Sequence, residues 1–313
     1  MFLICGEALF DLFLEDETSP AAMDFAARAG GSPFNVAIGM RRLTAEAGLM
    51  TAISTDMMGA RLAAILRTES VNDAYLVRTD RMTTLSVVGL DTDGVPAYSF
   101  YSAGSADTGL RPEDVPTLGP EVTGLHLGSY SIAVPPVADA LAALVGRAGD
   151  RFISLDPNVR PTVEPDMAVW RRRVEVLLPD VDLLKISSED LEMLYPDLSP
   201  SVFALRCIEQ GVEMVVVTDG GEATRAWTTT GVEASVVPPR VDVVDTVGAG
   251  DTFQAALLYR LAATADPYAA IAKMTVAEVR ELLQFCAGAA AVTCTRRGAD
   301  LPRLSELSHL QER

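Results

Sequence analysis

Short apolar runs rich in β-branched residues alternate, along most of this chain, with stretches in which apolar residues recur every three or four positions. The short runs predict strands at 2–5, 50–54, 124–128, 152–155, 183–186 and 214–218. The longer stretches predict helices at 33–43, 60–68, 136–147, 165–177, 201–210, 252–263 and 276–293. Strands that feed helices in this order make an α/β fold, a mostly parallel sheet between two helical layers joined by right-handed crossovers. Ligands of such sheets sit beyond the carboxyl ends of the strands.

Two segments depart from that alternation. Residues 83–101 read as a hairpin whose turn is Asp91-Thr92-Asp93-Gly94, and residues 9–14 and 26–31 have the composition to pair with it. They predict a small β-layer over the main sheet. No internal repeat, low-complexity tract or Pro/Ser-rich linker divides the 313 residues, so we expect one large domain, 1–313, with a lid built from segments near 9–31 and 83–107.

Composition narrows the partners. A hydrophobic fraction of 49% with 22% charged residues provides a sizeable core and excludes a disordered chain. Against 25 basic residues stand 43 acidic ones, a formal net charge of −18. Nucleic acid is excluded by that balance, since its binders present basic stripes. A phosphate-bearing ligand meets the same repulsion and needs local dipoles to hold it. The four cysteines form no C-x-x-C pair and only His126 and His309 could join them, which argues against both a disulfide scaffold and a structural zinc site. The N-terminus lacks a basic leader region, and no run reaches the roughly 18 apolar residues of a membrane span, so a cytoplasmic location with no membrane partner is expected.

The most informative segment is Asp245-Thr246-Val247-Gly248-Ala249-Gly250-Asp251-Thr252-Phe253, which runs into a helical pattern. Small residues at 248–250 let backbone approach a ligand and place successive N–H groups at a helix start, where unpaired donors and the positive dipole end attract anions. A carboxylate at Asp251 could accept a proton from an attacking hydroxyl while those N–H groups stabilise a transferred phosphoryl group. On the residues alone, Asp251 reads first as a helix cap. A Rossmann fingerprint is disfavoured by Phe253 at its last glycine position, and a Walker A loop by Leu184 and Ala272 before the two lysines, Lys185 and Lys273.

The DTVGAGDTF segment resembles the signature of the ribokinase-like (PfkB group) carbohydrate kinases. Gly30-Gly31-Ser32-Pro33-Phe34-Asn35-Val36-Ala37 is similar to the family's other signature, and Asp156-Pro157-Asn158-Val159-Arg160 and Thr218-Asp219-Gly220 follow in the family's order. The resemblance spans Ile4 to Pro302 and implies a three-layer α/β/α fold with a β-lid, sugar and ATP as substrates, and Mg²⁺. It implies Asp251 as the base, with Gly248, Ala249 and Gly250 around the phosphoryl group.

By the same resemblance Asp11, Gly30, Gly31 and Asn35 contact the sugar, Tyr98 and Phe100 cover it, and Arg160 grips a hydroxyl or a carboxylate. Lys185, Ser187, Thr218, Gly220, Gly248, Gly250, Ala287 and Ala290 line the nucleotide. Asp190 stands where the family carries a glutamate that organises the metal, and Glu189 beside it is a second candidate ligand. A monovalent cation has room near Asp245 and Thr246, and the lid edge suits a homodimer. Within the family the chain looks most like the fructokinases, from its start, Ile-Cys-Gly-Glu-Ala-Leu-Phe-Asp, and from Phe100-Tyr101. Ser102 stands where many of those carry arginine, so 2-keto-3-deoxygluconate kinase, a nucleoside kinase and a non-catalytic sugar-binding regulator remain as alternatives.

Overall fold

The computed structural model describes residues 1–19, 21–90 and 96–308. Strand β1 (Phe2–Cys5) leads into β2 (Leu9–Ser19) and β3 (Ala22–Gly30), then α1 (Ser32–Arg42), β4 (Ala47–Ser54), α2 (Met57–Thr68) and β5 (Leu76–Thr79). The hairpin strands β6 (Leu85–Leu90) and β7 (Pro96–Tyr101) follow, and its predicted Asp-Gly turn lies outside the described residues. Then come β8 (Gly124–Gly128), α3 (Val137–Val145), β9 (Phe152–Asp156), α4 (Met167–Leu177), β10 (Leu183–Ser187), α5 (Ser188–Leu194) and α6 (Pro200–Glu209). The chain closes with β11 (Met214–Thr218), β12 (Thr224–Thr228), β13 (Glu233–Val236), α7 (Ala249–Ala262), α8 (Pro267–Ile271) and α9 (Val276–Cys294).

The described residues form a nine-stranded sheet in the order β13-β12-β11-β10-β9-β8-β1-β4-β5, parallel except for β12 and β13. Its central strands are buried on both faces, as their mostly apolar sequences suit. Alternate residues feed two cores. Leu3, Leu125, Ile153 and Leu184 pack with α3, α4 and α6, whereas Phe2, Ile4, Phe152 and Leu183 pack with α1, α2, α7 and α9. The result is the expected three-layer arrangement.

A second sheet, β3-β2-β6-β7, stands beside the carboxyl ends of the first and contains all four predicted segments. Its register places Arg28, Asp11, Ser86 and Phe100 in one cross-strand row. Asp11 and Phe100 therefore share a face. The side chain of Tyr98 lies outside the described residues. Strands β5, β12 and β13 and helix α8 were not legible in the pattern, because all are short, β13 alternates buried with exposed positions and β12 carries the exposed Arg225.

Candidate active site

Helix α7 starts at the phosphate-loop motif because Gly248 turns the chain into it. Gly248 caps the helix in the left-handed conformation, φ +81°, and an added Cβ would lie 2.7 Å from Cα of Ala299. Thr252 then donates through its Oγ1 to the carbonyl of Gly248 at 2.9 Å, and its hydroxyl meets that of Thr293 at 2.7 Å, which ties α7 to α9. The first turn of the helix presents N–H groups that have no intrahelical acceptor.

Asp251 lies in that turn, 8% exposed. Its carboxylate accepts from Ser32 Oγ at 2.6 Å and from Asn35 Nδ2 at 2.8 Å. Both donors stand in the first turn of α1, so the two family-like motifs, more than 200 residues apart, meet at one carboxylate. Gly31 makes this possible. At φ +103° it turns the chain into α1, and a Cβ there would come within 2.8 Å of the Glu7 carbonyl.

Asp11 stands beside this pair. A Cβ on Gly30 would lie 2.6 Å from Asp11 Oδ2. Burial raises the Asp11 carboxyl to about 6; the nearby Arg160 charge lowers it, and that of Asp251 raises it. Arg160 also acts on Asp190 and donates to the carbonyl of Val159 at 2.9 Å. Asn158, at φ +41°, turns the chain between Asp156 and Arg160, a conformation asparagine tolerates. Phe100 packs edge-on against Tyr130, ring centroids 6.1 Å apart.

Behind the helix start, Lys185 and Asp156 form a buried ion pair at 2.7 Å. Lys185 Nζ would be 3.4 Å from a Cβ on Gly250, so its charge stands under the loop. Burial raises Asp156 to about 6 despite that partner, with Asp190 and Asp251 adding to the rise. Asp156 Oδ1 is buried without a hydrogen-bond donor among the described residues. His126, also buried, meets Ser154 Oγ at 3.1 Å, and burial and the Lys185 charge push it down to about 3, which keeps it neutral.

On the nucleotide side, Ser187 and Thr218 are register partners at the carboxyl ends of β10 and β11, and Gly220 follows in an exposed turn. Ser187 caps α5 by accepting from the N–H of Asp190 at 3.0 Å. Asp190 is buried and accepts from the N–H of Val159 at 3.1 Å, whereas Glu189 is exposed; the structure does not bring the two carboxylates together. Ala287 is packed in the core and Ala290 is half-buried. Asp245 accepts from the N–H groups of Val247 at 3.0 Å and Gly298 at 2.8 Å. Among the described residues no group of three or more His, Cys, Asp or Glu side chains could hold a metal ion unaided.

The model of the pfkB family carbohydrate kinases matches residues 2–306. The chain belongs to that family. It is 37% identical over 262 residues to a fructokinase of Rhizobium leguminosarum bv. trifolii, covering 83% of this chain and 79% of that one. It is 32% identical to the probable fructokinase-4 of Arabidopsis thaliana, covering 98% and 94%. Among solved structures, the fructokinase of Xylella fastidiosa with bound ATP superposes with a TM-score of 0.88 at 28% identity, covering 99% and 98%. The fructokinase of Vibrio cholerae O395 with fructose, ADP and calcium ion superposes at 0.85 and 25% identity, also covering 99% and 98%. A pfkB carbohydrate kinase is a phosphotransferase, and the ribokinase-like fold expected from the motifs is the one observed.

Reading the residues in order missed several members of this kinase site. Ser32 and Asp156 stood in motifs without a role of their own, and Glu7 only within the family-like start of the chain. Their signal was charge or hydroxyl at positions that neighbouring apolar residues mark as interior.

Proposed function

We propose that this chain is an ATP-dependent fructokinase, in which Asp251 takes the proton from the sugar's primary hydroxyl as that oxygen attacks the γ-phosphoryl group. The observation that carries the reading is the Asp251 carboxylate, held by Ser32 and Asn35 at the start of α7 and next to Asp11. The N–H groups of Gly248 to Asp251 stabilise the charge that develops on the transferring group, and Lys185 under Gly250 adds a positive field. Asp11, Asn35 and the backbone of Gly30 and Gly31 bind sugar hydroxyls, and Arg160 orients the acceptor. The fructokinase names of the relatives and the fructose and ADP in the Vibrio cholerae structure support the choice of sugar and nucleotide.

Mg²⁺ enters with the ATP phosphates, and when bound it neutralises their charge. Asp190 and the unpartnered oxygen of Asp156 suit it, since Mg²⁺ is commonly held by one or two carboxylates with waters and phosphates completing the shell. The exposed Glu189 is not needed for it. Ser187, Thr218, Gly220 and Ala290 border the nucleotide. The chain works as one domain, with the small sheet closing on the sugar and excluding water.

Release of ADP, followed over fructose, 2-keto-3-deoxygluconate, ribose and adenosine, tests the reading. Fructose should be turned over with the highest kcat/KM, and Asp251→Asn should lower kcat by roughly a thousandfold or more while sugar binding persists. Preference for another acceptor overturns the sugar assignment, and near-normal turnover by Asp251→Asn overturns the mechanism. We also propose a homodimer through the small sheet, since β3 forms one of its edges and exposes Met23 and Phe25. Sedimentation should show a dimer that Met23→Asp with Phe25→Asp converts to monomer; a wild-type monomer refutes it.

A further inference from the structure

Ser32 is gripped at two atoms. Its hydroxyl donates to Asp251 Oδ1 at 2.6 Å, and its N–H donates to Glu7 Oε1 at 3.2 Å. Helix α1 has glycine at its N-cap, with no side chain to satisfy the first N–H groups. The carboxylate of Glu7, from the link between β1 and β2, takes that place from a distant point in the chain. Glu7 is 1% exposed and its other oxygen accepts from Ser131 Oγ at 2.6 Å. Among the described residues it has no ion pair.

A carboxylate buried without a cation is costly, and a neutral Gln or Ser would cap α1 for less. We propose that Glu7 is a positioning residue for phosphoryl transfer, fixing Ser32 so that its hydroxyl holds the Asp251 carboxylate in the orientation that the acceptor hydroxyl requires. The inference rests on Asp251 being the base. Glu7 does not touch the substrate; it acts through Ser32, whose hydroxyl competes for one Asp251 oxygen and thereby leaves the orientation of the other defined.

The surroundings of Glu7 make the brace sensitive to pH. Facing it are Ser32 from α1, Ser129, Tyr130 and Ser131 from the turn at Ser129–Ile132, and Asp107 from the turn at Asp107–Gly109. Asp107 is the one charged group among these, and it accepts from Tyr130 OH at 2.6 Å and Ser105 Oγ at 2.7 Å. Burial raises Glu7 to about 7, and the Asp107 charge adds to the rise. Above that pH Glu7 is ionised and accepts from both partners. Below it, the proton goes to one carboxyl oxygen and the Ser32 N–H loses its bond to a charged acceptor.

The test is kcat and KM for fructose and ATP from pH 5.5 to 8.5 in the full chain, for wild type, Glu7→Gln, Glu7→Asp, Ser32→Ala and the Glu7→Gln/Ser32→Ala double variant. Glu7→Gln should lower kcat at pH 8 by roughly tenfold, leave KM for ATP unchanged and lose the limb near pH 7, while Glu7→Asp keeps the limb. Ser32→Ala retains the N–H and the cap, so it should fold normally and show a comparable loss. The double variant should be no slower than the slower single one, because both act through one contact. Wild-type kcat and pH profile in Glu7→Gln and Ser32→Ala, or losses that multiply in the double variant, overturn the brace. Should Glu7→Gln fail to fold, a normal kcat in Ser32→Ala alone overturns it. Asp251→Asn separates the two readings: inactivity there with normal Glu7→Gln and Ser32→Ala removes only the brace, whereas normal turnover removes the base and the brace together.

Discussion

The two ends of the parallel strands carry carboxylates of very different standing. At the amino ends, Asp150, Asp180, Asp182 and Asp266 line a groove of about 810 Å³. At the carboxyl ends, Asp11, Asp156, Asp190 and Asp251 meet around the start of α7. The first set is more exposed, yet its acids mainly repel one another. Burial raises Asp182 to about 6, and Glu213, Asp180 and Asp266 add to the rise. Arg151 gives no relief, because its guanidinium donates to the carbonyls of Val122, Ala148 and Gly119. In the second set Lys185 and Arg160 stand between the acids, and Ser32 and Asn35 supply donors. Acidity and concavity occur at both ends; only one end mixes acids, cations and oriented donors in the way that group transfer needs.

Substitutions can break or sharpen this contrast. The largest effect belongs to Asp251→Asn, whose loss in kcat should exceed all others. Next is Lys185→Met, which leaves Asp156 buried and unpaired at a cost of about 3–5 kcal/mol in stability, together with a fall in kcat from the lost positive field under Gly250. The sign of its pH dependence is determined. A buried acid whose folded pKa is raised contributes stability below its ordinary pKa and loses it as pH rises through the folded value. Without Lys185 the carboxyl of Asp156 rises above its present value of about 6, so chemical denaturation should show a larger deficit at pH 8 than at pH 5. Equal deficits at the two pH values would mean that Asp156 does not carry the charge assigned to it.

The smallest effect is expected at the other end. Asp182→Asn keeps an oxygen for the Ile153 N–H, which donates to Asp182 Oδ2 at 2.7 Å, and removes a charge from the groove. It should stabilise the protein at pH 8 by about 1 kcal/mol, after allowance for solvent screening at a partly exposed group. The gain should shrink as pH falls through about 6 and vanish below about 3, where the wild-type carboxyl is neutral in folded and unfolded chains alike. Its kcat should stay within about twofold of wild type. A large loss of turnover in Asp182→Asn would erase the distinction between the two ends.

Strands within the large sheet differ as much in legibility as the two ends do in chemistry. Strands β1, β8 and β11 match their predicted bounds because a strand buried on both faces reads as a mostly apolar run. Strand β13, at one edge, and its neighbour β12 carry no such run, since they keep positions such as Arg225, Glu233 and Ser235 exposed. Helix α7 begins three residues earlier than its apolar period indicates, because the left-handed turn at Gly248, and not a hydrophobic residue, starts it. Glu189 and Asp190 are neighbours in the sequence, yet the helix sends one to solvent and the other to the interior.

The sequence by itself determined the alternation of the central strands with helices and the small-residue loop with the acid that follows it, because those depend on local periodicity and on residue types that backbone geometry demands. Only the tertiary structure decided which distant groups act on that acid. Ser32, Asn35, Lys185 and Asp156 reach the start of α7 from other strands and helices, and Glu7 reaches it one step removed. Hydrogen bonding and charge interactions operate over a few ångströms of space whatever the separation along the chain. Their partners are therefore set by how the layers pack.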